Sequence, residues 1–182
     1  MSHFPIHTLA TAPEASKPVL RDLQQTFGVI PNIAGAMAES PVLIDAFLGL
    51  FRKVHAGNFS EAQIQILLLT NAVTNACAWA VAFHSVLALK EGITPDDVQA
   101  IRERRAPGDR GHAALARFTQ TAIDKRGRLD ECDLQALLDA GFGRDAALEV
   151  FTVLAASTIT NYTGNLTRPA LEPAFQAHHW NG

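Results

Sequence analysis

The sequence contains few cysteines and no excess of positive charge. Cys77 and Cys132 are its only cysteines, too few for a disulfide framework and without the spacing of a zinc site. The N-terminal residues lack the basic region and apolar run of a secretory signal, so a reducing, cytoplasmic location is expected. The 15 basic residues are outnumbered by 18 acidic ones, which gives no indication of nucleic-acid binding. No metal or cofactor is predicted.

Charged side chains are also absent from one long stretch. Residues 62–89 contain no Asp, Glu, Lys or Arg, and a stretch of this length could span a bilayer. Polar residues such as Asn71, Asn75 and His84 interrupt it throughout, which argues against contact with lipid. We therefore predict two consecutive buried helices with a break near Thr74, and no membrane segment.

The apolar pattern is helical nearly throughout, and the alternation typical of strands is scarce. Helix starts are marked by capping residues, as at Ser60 with Gln63 three residues later. Residues 1–15 look irregular, and the tail 170–182 is expected to pack loosely or to cross to a partner chain. With 182 residues, of which 48% are apolar, the chain is predicted to form a single all-α domain over residues 1–182.

Two apolar segments resemble each other weakly. Residues 61–70 and 145–154 both begin with an acidic residue and continue as apolar, helical sequence. This pattern predicts either two pseudo-symmetric helical halves or two buried helices of similar composition. The uncharged segments 62–89 and 150–167 offer more apolar surface than a small monomer hides, which predicts self-association.

Cys77 and His84 are the side chains of the uncharged stretch that could carry chemistry. Seven residues make about two helical turns, so both would lie on one helix face, roughly 10 Å apart. That separation is too long for a thiol–imidazole hydrogen bond, and a substrate, a water or a third side chain would have to bridge it. From the residues alone, the simpler interpretation is a buried cysteine and a satisfied core histidine.

Three features of residues 59–102 point to a known family. They are the capped helix start at Ser60-Glu61, the Cys-x6-His spacing from Cys77 to His84, and the Gly92-Ile-Thr turn. This segment resembles the core of the carboxymuconolactone decarboxylase / alkylhydroperoxidase D superfamily, and the flanking segments 27–32 and 161–175 resemble its peroxidase-related members. The resemblance implies an all-α, alkylhydroperoxidase D-like helical bundle. It also implies homo-oligomers from dimers to hexamers, with a small-molecule site near the subunit contacts.

The sequence departs from the motif of this superfamily at two positions. Alkylhydroperoxidase-like members carry Glu-x11-Cys-x2-Cys-x3-His, in which the second Cys attacks the hydroperoxide and the first resolves it. Cys77 and His84 match the first Cys and the His, whereas Ala80 stands at the attacking Cys and Gln65 at the Glu. Trp79 occupies an intervening position that often holds an aromatic residue or His. A two-cysteine peroxidase of the usual kind is therefore not expected.

Two classes of function are compatible with these residues. In the first, the chain is a peroxidase-related oxidoreductase of atypical or weak activity, with Cys77 as its single peroxidatic thiol, His84 as proton relay and an external thiol as reductant. A non-redox relative would act through His84 on a small carbonyl or lactone substrate. In the second class, the protein binds an apolar small molecule without turnover.

The remaining motif positions would shape the pocket in either class. Gln65 lies beside His84, and Trp79 supplies an aromatic wall. Glu61, one turn before Gln65, could replace the missing Glu, although its place in the first helical turn favours a capping role. Cys132 could act as a resolving thiol only if folding or a neighbouring subunit brought it close.

Overall fold

Helices account for all regular structure in the described part of the chain. The computed structural model describes residues 4–182 and contains no strand in that range, which confirms the all-α fold. Residues 1–3 of the predicted irregular start lie outside the described residues. None of the helices in residues 4–182 has the length and apolarity needed to cross a membrane. The α-helices of this range are α1 (Lys17–Phe27), α2 (Asn32–Met37), α3 (Pro41–His55), α4 (Glu61–Thr74), α5 (Ala78–Lys90), α6 (Pro95–Arg102), α7 (Arg110–Asp124), α8 (Glu131–Asp139) and α9 (Arg144–Thr167), with 3-10 helices at Glu14–Ser16 and Pro173–His178.

The helix boundaries follow the capping residues seen in the sequence. At the start of α4, the Ser60 hydroxyl accepts the backbone N–H of Gln63, and the Gln63 side chain accepts the N–H of Ser60. This reciprocal pair is the predicted capping box. The side chains of Ser40 and Thr94 cap α3 and α6 by accepting the backbone N–H groups of Leu43 and Asp97. Gly28, with φ of 77°, ends α1 in the left-handed conformation that glycine adopts without strain.

Helix α4 lies at the centre of the bundle. It packs against α5, α7 and α9, and every residue from Ile64 to Val73 is buried. Helix α5 follows after a break at residues 75–77, so the two buried helices predicted within residues 62–89 are confirmed. Other helices of the same chain cover their apolar surface. Most of this segment is therefore buried within its own chain, and self-association stays a prediction.

Helix α9 is apolar on its outer side as well as on its packed side. Its inner side faces α3 and α4, whereas Leu148, Tyr162 and Leu166 are 71%, 62% and 68% exposed. No charged residue lies between Glu149 and Arg168. The two similar segments, 61–70 and 145–154, thus lie on packed helices α4 and α9, and a pseudo-symmetric relation between two halves stays a prediction.

The C-terminal tail packs on its own chain, which corrects the expectation of a loose or crossing tail. The Glu172 carboxylate accepts the backbone N–H of Asn32 at 2.6 Å and the indole N–H of Trp79 at 2.9 Å. The Arg102 guanidinium donates to the carbonyls of residues 178 and 179, both at 3.0 Å. These hydrogen bonds join residues far apart in sequence, and periodicity carries no signal for them.

Candidate functional site

Helices α1 to α5 and α9 line a small apolar space, here called the aromatic cavity. Its walls include the rings of Phe27, Phe51, Phe83 and Trp79. The Phe27 ring centroid lies 5.8 Å from that of Phe51 and 5.6 Å from that of Phe83, and Trp79 stacks on Phe83 at 4.9 Å. The cavity measures about 50 Å³, well below the roughly 150 Å³ that holds benzene. A molecule of a few non-hydrogen atoms therefore fits it best.

His84 lines this cavity and is only 8% exposed. Its Nδ1 lies 3.0 Å from Oε1 of the buried Gln65. Because an amide oxygen only accepts, the ring hydrogen is assigned to Nδ1, and Nε2 of the neutral ring keeps a free lone pair. Burial, with a smaller contribution from nearby His55, lowers the pKa of His84 to about 3. The ring is therefore neutral at physiological pH.

A second histidine, His55, lines the same cavity. It is the last residue of α3, and its Nδ1 lies 2.9 and 3.0 Å from the two carboxylate oxygens of Glu61. Its Nε2 is buried and has no hydrogen-bond partner among the described residues. Glu61 was expected to serve as a helix cap or dipole partner, and His55 was not predicted at all. The pair is joined across the turn between α3 and α4, where helical spacing gives no signal.

Cys77 lies beside a different space, here called the thiol cavity. Its walls include Trp79, Gly164 and Arg168, and neither histidine contributes to it. Cys77 is the N-cap residue of α5, with extended backbone at φ −94° and ψ 92°. The expectation that Cys77 and His84 share a helix face therefore differs from the structure, because Cys77 precedes the first helical turn.

The environment of Cys77 favours the protonated thiol. The residue is 1% exposed, and burial raises its pKa, although the backbone N–H groups of Ala80 and Trp79 act in the opposite direction. A Cβ added at Gly164 would lie 2.8 Å from Cys77 Sγ, so α9 packs closely over the thiol. Since the thiolate is the nucleophilic form, this environment does not activate Cys77. Cys132 is a second free thiol, exposed on α8.

The other predicted site residues have distinct places. Trp79 is a wall shared by the aromatic cavity and the thiol cavity. Gln65 is 4% exposed and acts on the site through His84, whereas Ala80 is fully buried and lines neither cavity. Within residues 4–182, no group of three His, Cys, Asp or Glu side chains is arranged to hold a metal ion.

The sequence matches a known family over part of its length. Residues 41–122 match the carboxymuconolactone decarboxylase family, and this range contains His55, Glu61, Gln65, Cys77 and His84. The match supports the superfamily resemblance predicted from residues 59–102. The sequence matches none of the curated proteins.

Solved structures with the same fold include peroxidase-related proteins and a debrominase. An uncharacterized peroxidase-related protein from Ralstonia eutropha JMP134, with an alkylhydroperoxidase AhpD core, has a TM-score of 0.84 at 18% identity over 96% of this chain and 94% of its own. One from Silicibacter sp. TM1040 has a TM-score of 0.79 at 17% identity over 97% and 93%. A variant of the debrominase Bmp8 in complex with 2,3,4-tribromopyrrole has a TM-score of 0.80 at 20% identity over 98% and 96%. Likeness at these identities establishes the alkylhydroperoxidase D-like fold.

Proposed function

We propose that this protein, similar over residues 41–122 to the carboxymuconolactone decarboxylase family, is a non-redox enzyme that moves a proton on a small, uncharged carbonyl or lactone compound. The observation that carries the proposal is the His84 ring in the aromatic cavity. Its Nδ1 is held by Gln65, which leaves Nε2 as an acceptor in largely apolar surroundings. An apolar cavity with a few convergent polar groups is typical of a small-molecule site.

The size and charge of the cavity support this class of substrate. Its volume of about 50 Å³ favours a compound of a few non-hydrogen atoms, and no Lys or Arg among the described residues lines it to balance an anionic ligand. The complex of the debrominase Bmp8 with 2,3,4-tribromopyrrole supports a small organic ligand for this fold. In the alternative class, the protein would bind the same kind of compound in this cavity without converting it.

Proton–deuterium exchange tests this function directly. We would incubate the protein with hydroxyacetone in D2O and follow loss of its CH2 signal by NMR. The wild type should exchange these protons faster than buffer. His84→Asn should exchange more slowly, because Asn can still donate to Gln65 but has no group at the position of Nε2. Cys77→Ser should match the wild type. Exchange at the buffer rate by the wild type would contradict the proposal.

A redox function through Cys77 is the second candidate. It is favoured by the N–H groups of Ala80 and Trp79, which lower the pKa of the thiol against the larger effect of burial. The thiolate would attack a hydroperoxide, releasing an alcohol and forming a sulfenic acid. Two molecules of an external thiol would then reduce the sulfenic acid, giving water and a disulfide. Thiol-dependent peroxide consumption lost in Cys77→Ser would support this candidate.

We further propose that the chain forms homo-oligomers through the outer side of α9. Leu148, Phe151, Tyr162 and Leu166 recur at helical spacing and are exposed, and the helix is uncharged between Glu149 and Arg168. Such a surface suits contact with a second copy. Leu166→Lys should lower the molar mass measured by light scattering, whereas Val42→Lys, at an apolar position 81% exposed on α3, should not. A monomeric wild type would contradict this proposal.

A further inference from the structure

The two histidines of the aromatic cavity differ in the partner that holds Nδ1. Nδ1 of His84 is held by the neutral amide of Gln65, and Nδ1 of His55 by the carboxylate of Glu61. A carboxylate balances the positive charge that an imidazole gains when it takes up a proton, whereas an amide does not. The two rings are therefore suited to different tasks in one cavity.

The two rings also differ in exposure, because His84 is 8% exposed whereas the side chain of His55 is 25% exposed. The burial of His84 lowers its pKa to about 3, which makes it a weak base. Its neutral Nε2 can still accept a hydrogen bond from a ligand O–H or N–H. Nε2 of His55 is buried and has no hydrogen-bond partner within residues 4–182, which is costly for a polar atom unless a ligand or water completes it.

We propose that His55 is the proton-accepting residue of the aromatic cavity, that Glu61 positions it, and that His84 orients the substrate by accepting its O–H or N–H. This inference rests on the function proposed above and narrows its substrate to a small carbonyl compound that also carries a hydrogen-bond donor. Hydroxyacetone, with five non-hydrogen atoms, has both features. Butanone has the same size and a methyl group in place of the hydroxyl.

The proton transfer balances without a cofactor. A C–H proton beside the carbonyl moves to Nε2 of His55, and the electron pair of that bond passes to the carbonyl oxygen as an enolate. The imidazolium is paired with Glu61 through Nδ1. In D2O its Nε2 proton exchanges with solvent, and returning a deuteron to carbon restores the ketone. Nothing is oxidised or reduced.

The two histidines should have separable kinetic effects in the exchange of hydroxyacetone. His55→Asn keeps a donor for Glu61 but removes Nε2, so kcat should fall about 100-fold or more while KM stays within about threefold. His84→Asn should raise KM about tenfold and remove the preference for hydroxyacetone over butanone. If the two rings had purely structural roles, one substitution would not change mainly kcat while the other changed mainly KM.

Glu61 is tested by a neutral variant and a matched pair elsewhere in the chain. Glu61→Gln should lower kcat by at least about tenfold with KM unchanged. His7 and Glu39 form a second His–Glu pair, 2.6 Å apart and away from the aromatic cavity, so His7→Asn should leave both constants unchanged. His55→Gln, which returns an acceptor near Nε2 but no base, should bind hydroxyacetone without exchanging it.

The outcomes distinguish this inference from the function on which it rests. If the wild type exchanges hydroxyacetone and both His55→Asn and Glu61→Gln keep its kcat, His55 is not the base and the inference is overturned, while the proposed function stands. If the wild type prefers neither hydroxyacetone nor butanone, His84 does not select a donor. If the wild type exchanges neither compound above the buffer rate, the proposed function and this inference fail together.

Discussion

The aromatic cavity and the thiol cavity share one wall, Trp79, but differ in almost everything else. The first brings two imidazoles into apolar surroundings, each with Nδ1 held by a polar partner. The second holds a single thiol at the start of α5, where burial raises its pKa. The difference shows that two reactive side chains seven residues apart need not serve one site.

The backbone explains why the cavities are separate. Ala76 has φ of 51° and Cys77 is extended, so the chain turns immediately before α5 begins. His84 lies inside the helix, in its second turn, where its Nδ1 is held by Gln65 of α4. A helical wheel drawn through both residues treats Cys77 as helical, which it is not.

Removing the shared wall should have the largest effect. Trp79→Ala deletes a side chain that is 6% exposed, and we expect the free energy of unfolding to fall by about 3–5 kcal/mol. Alkylation of Cys77 should also become faster, because the two cavities would join. Urea unfolding and thiol labelling measure the two effects. Val42→Ala, at an exposed apolar position, should change stability by less than about 0.5 kcal/mol. A similarly small loss for Trp79→Ala would refute its role as the wall.

The burial of His84 should make the free energy of unfolding depend on pH. Its pKa is lowered from 6.5 to about 3, so between these values the unfolded chain binds a proton that the folded chain does not. The free energy of unfolding should then fall as the pH drops through this window, by up to about 1.4 kcal/mol per pH unit from this group. Urea titrations at several pH values in this window measure the free energy of unfolding of the wild type and of His84→Asn. The difference between the two proteins should change with pH. A difference that is constant with pH would contradict the enclosure.

The thiols should differ in rate of alkylation. In the Cys132→Ser background, buried Cys77 should react with iodoacetamide at least about 100-fold more slowly than exposed Cys132 does in the Cys77→Ser background. Both should react at similar rates in urea, which serves as the control. Equal rates in the native protein would show that the thiol cavity is open and its cysteine accessible.

The smallest effect should come from the C-terminal tail, whose Glu172 accepts a hydrogen bond from Trp79. Glu172→Gln leaves one amide oxygen to accept from Asn32 and Trp79, which share a carboxylate in the wild type. We expect a loss of about 1–2 kcal/mol in the free energy of unfolding. Glu91→Gln, at an exposed residue after α5, should change it by less than about 0.5 kcal/mol. If Glu172→Gln matches Glu91→Gln, the tail does not hold Trp79.

The helices were predictable because their signals are local. Capping at Ser60 and the left-handed Gly28 fixed the boundaries of α4 and α1, and the uncharged stretch 62–89 indicated two buried helices. Half of the site was predictable for a similar reason, since the superfamily resemblance marked Gln65 and His84. Each of these signals comes from residues that lie within a few helical turns of one another in the sequence.

The remainder of the site depends on contacts that no local pattern records. His55 and Glu61 lie on either side of an irregular turn, and Glu172 reaches Trp79 across 93 residues. The position of Cys77 depends on the positive φ of Ala76, a residue that seldom adopts it. The helix that carries the site was therefore predictable from the sequence, whereas the second histidine and the boundary between the cavities were not.

We propose that the chemistry of this protein belongs to the aromatic cavity and not to Cys77. Its most direct test is hydroperoxide consumption in the presence of a thiol reductant, measured for the wild type, Cys77→Ser and Ala80→Cys. We expect the wild type and Cys77→Ser to consume peroxide equally, at the rate of the reductant alone, whether or not Ala80→Cys gains activity. Turnover by the wild type that is lost in Cys77→Ser would contradict it and assign the reaction to the thiol cavity.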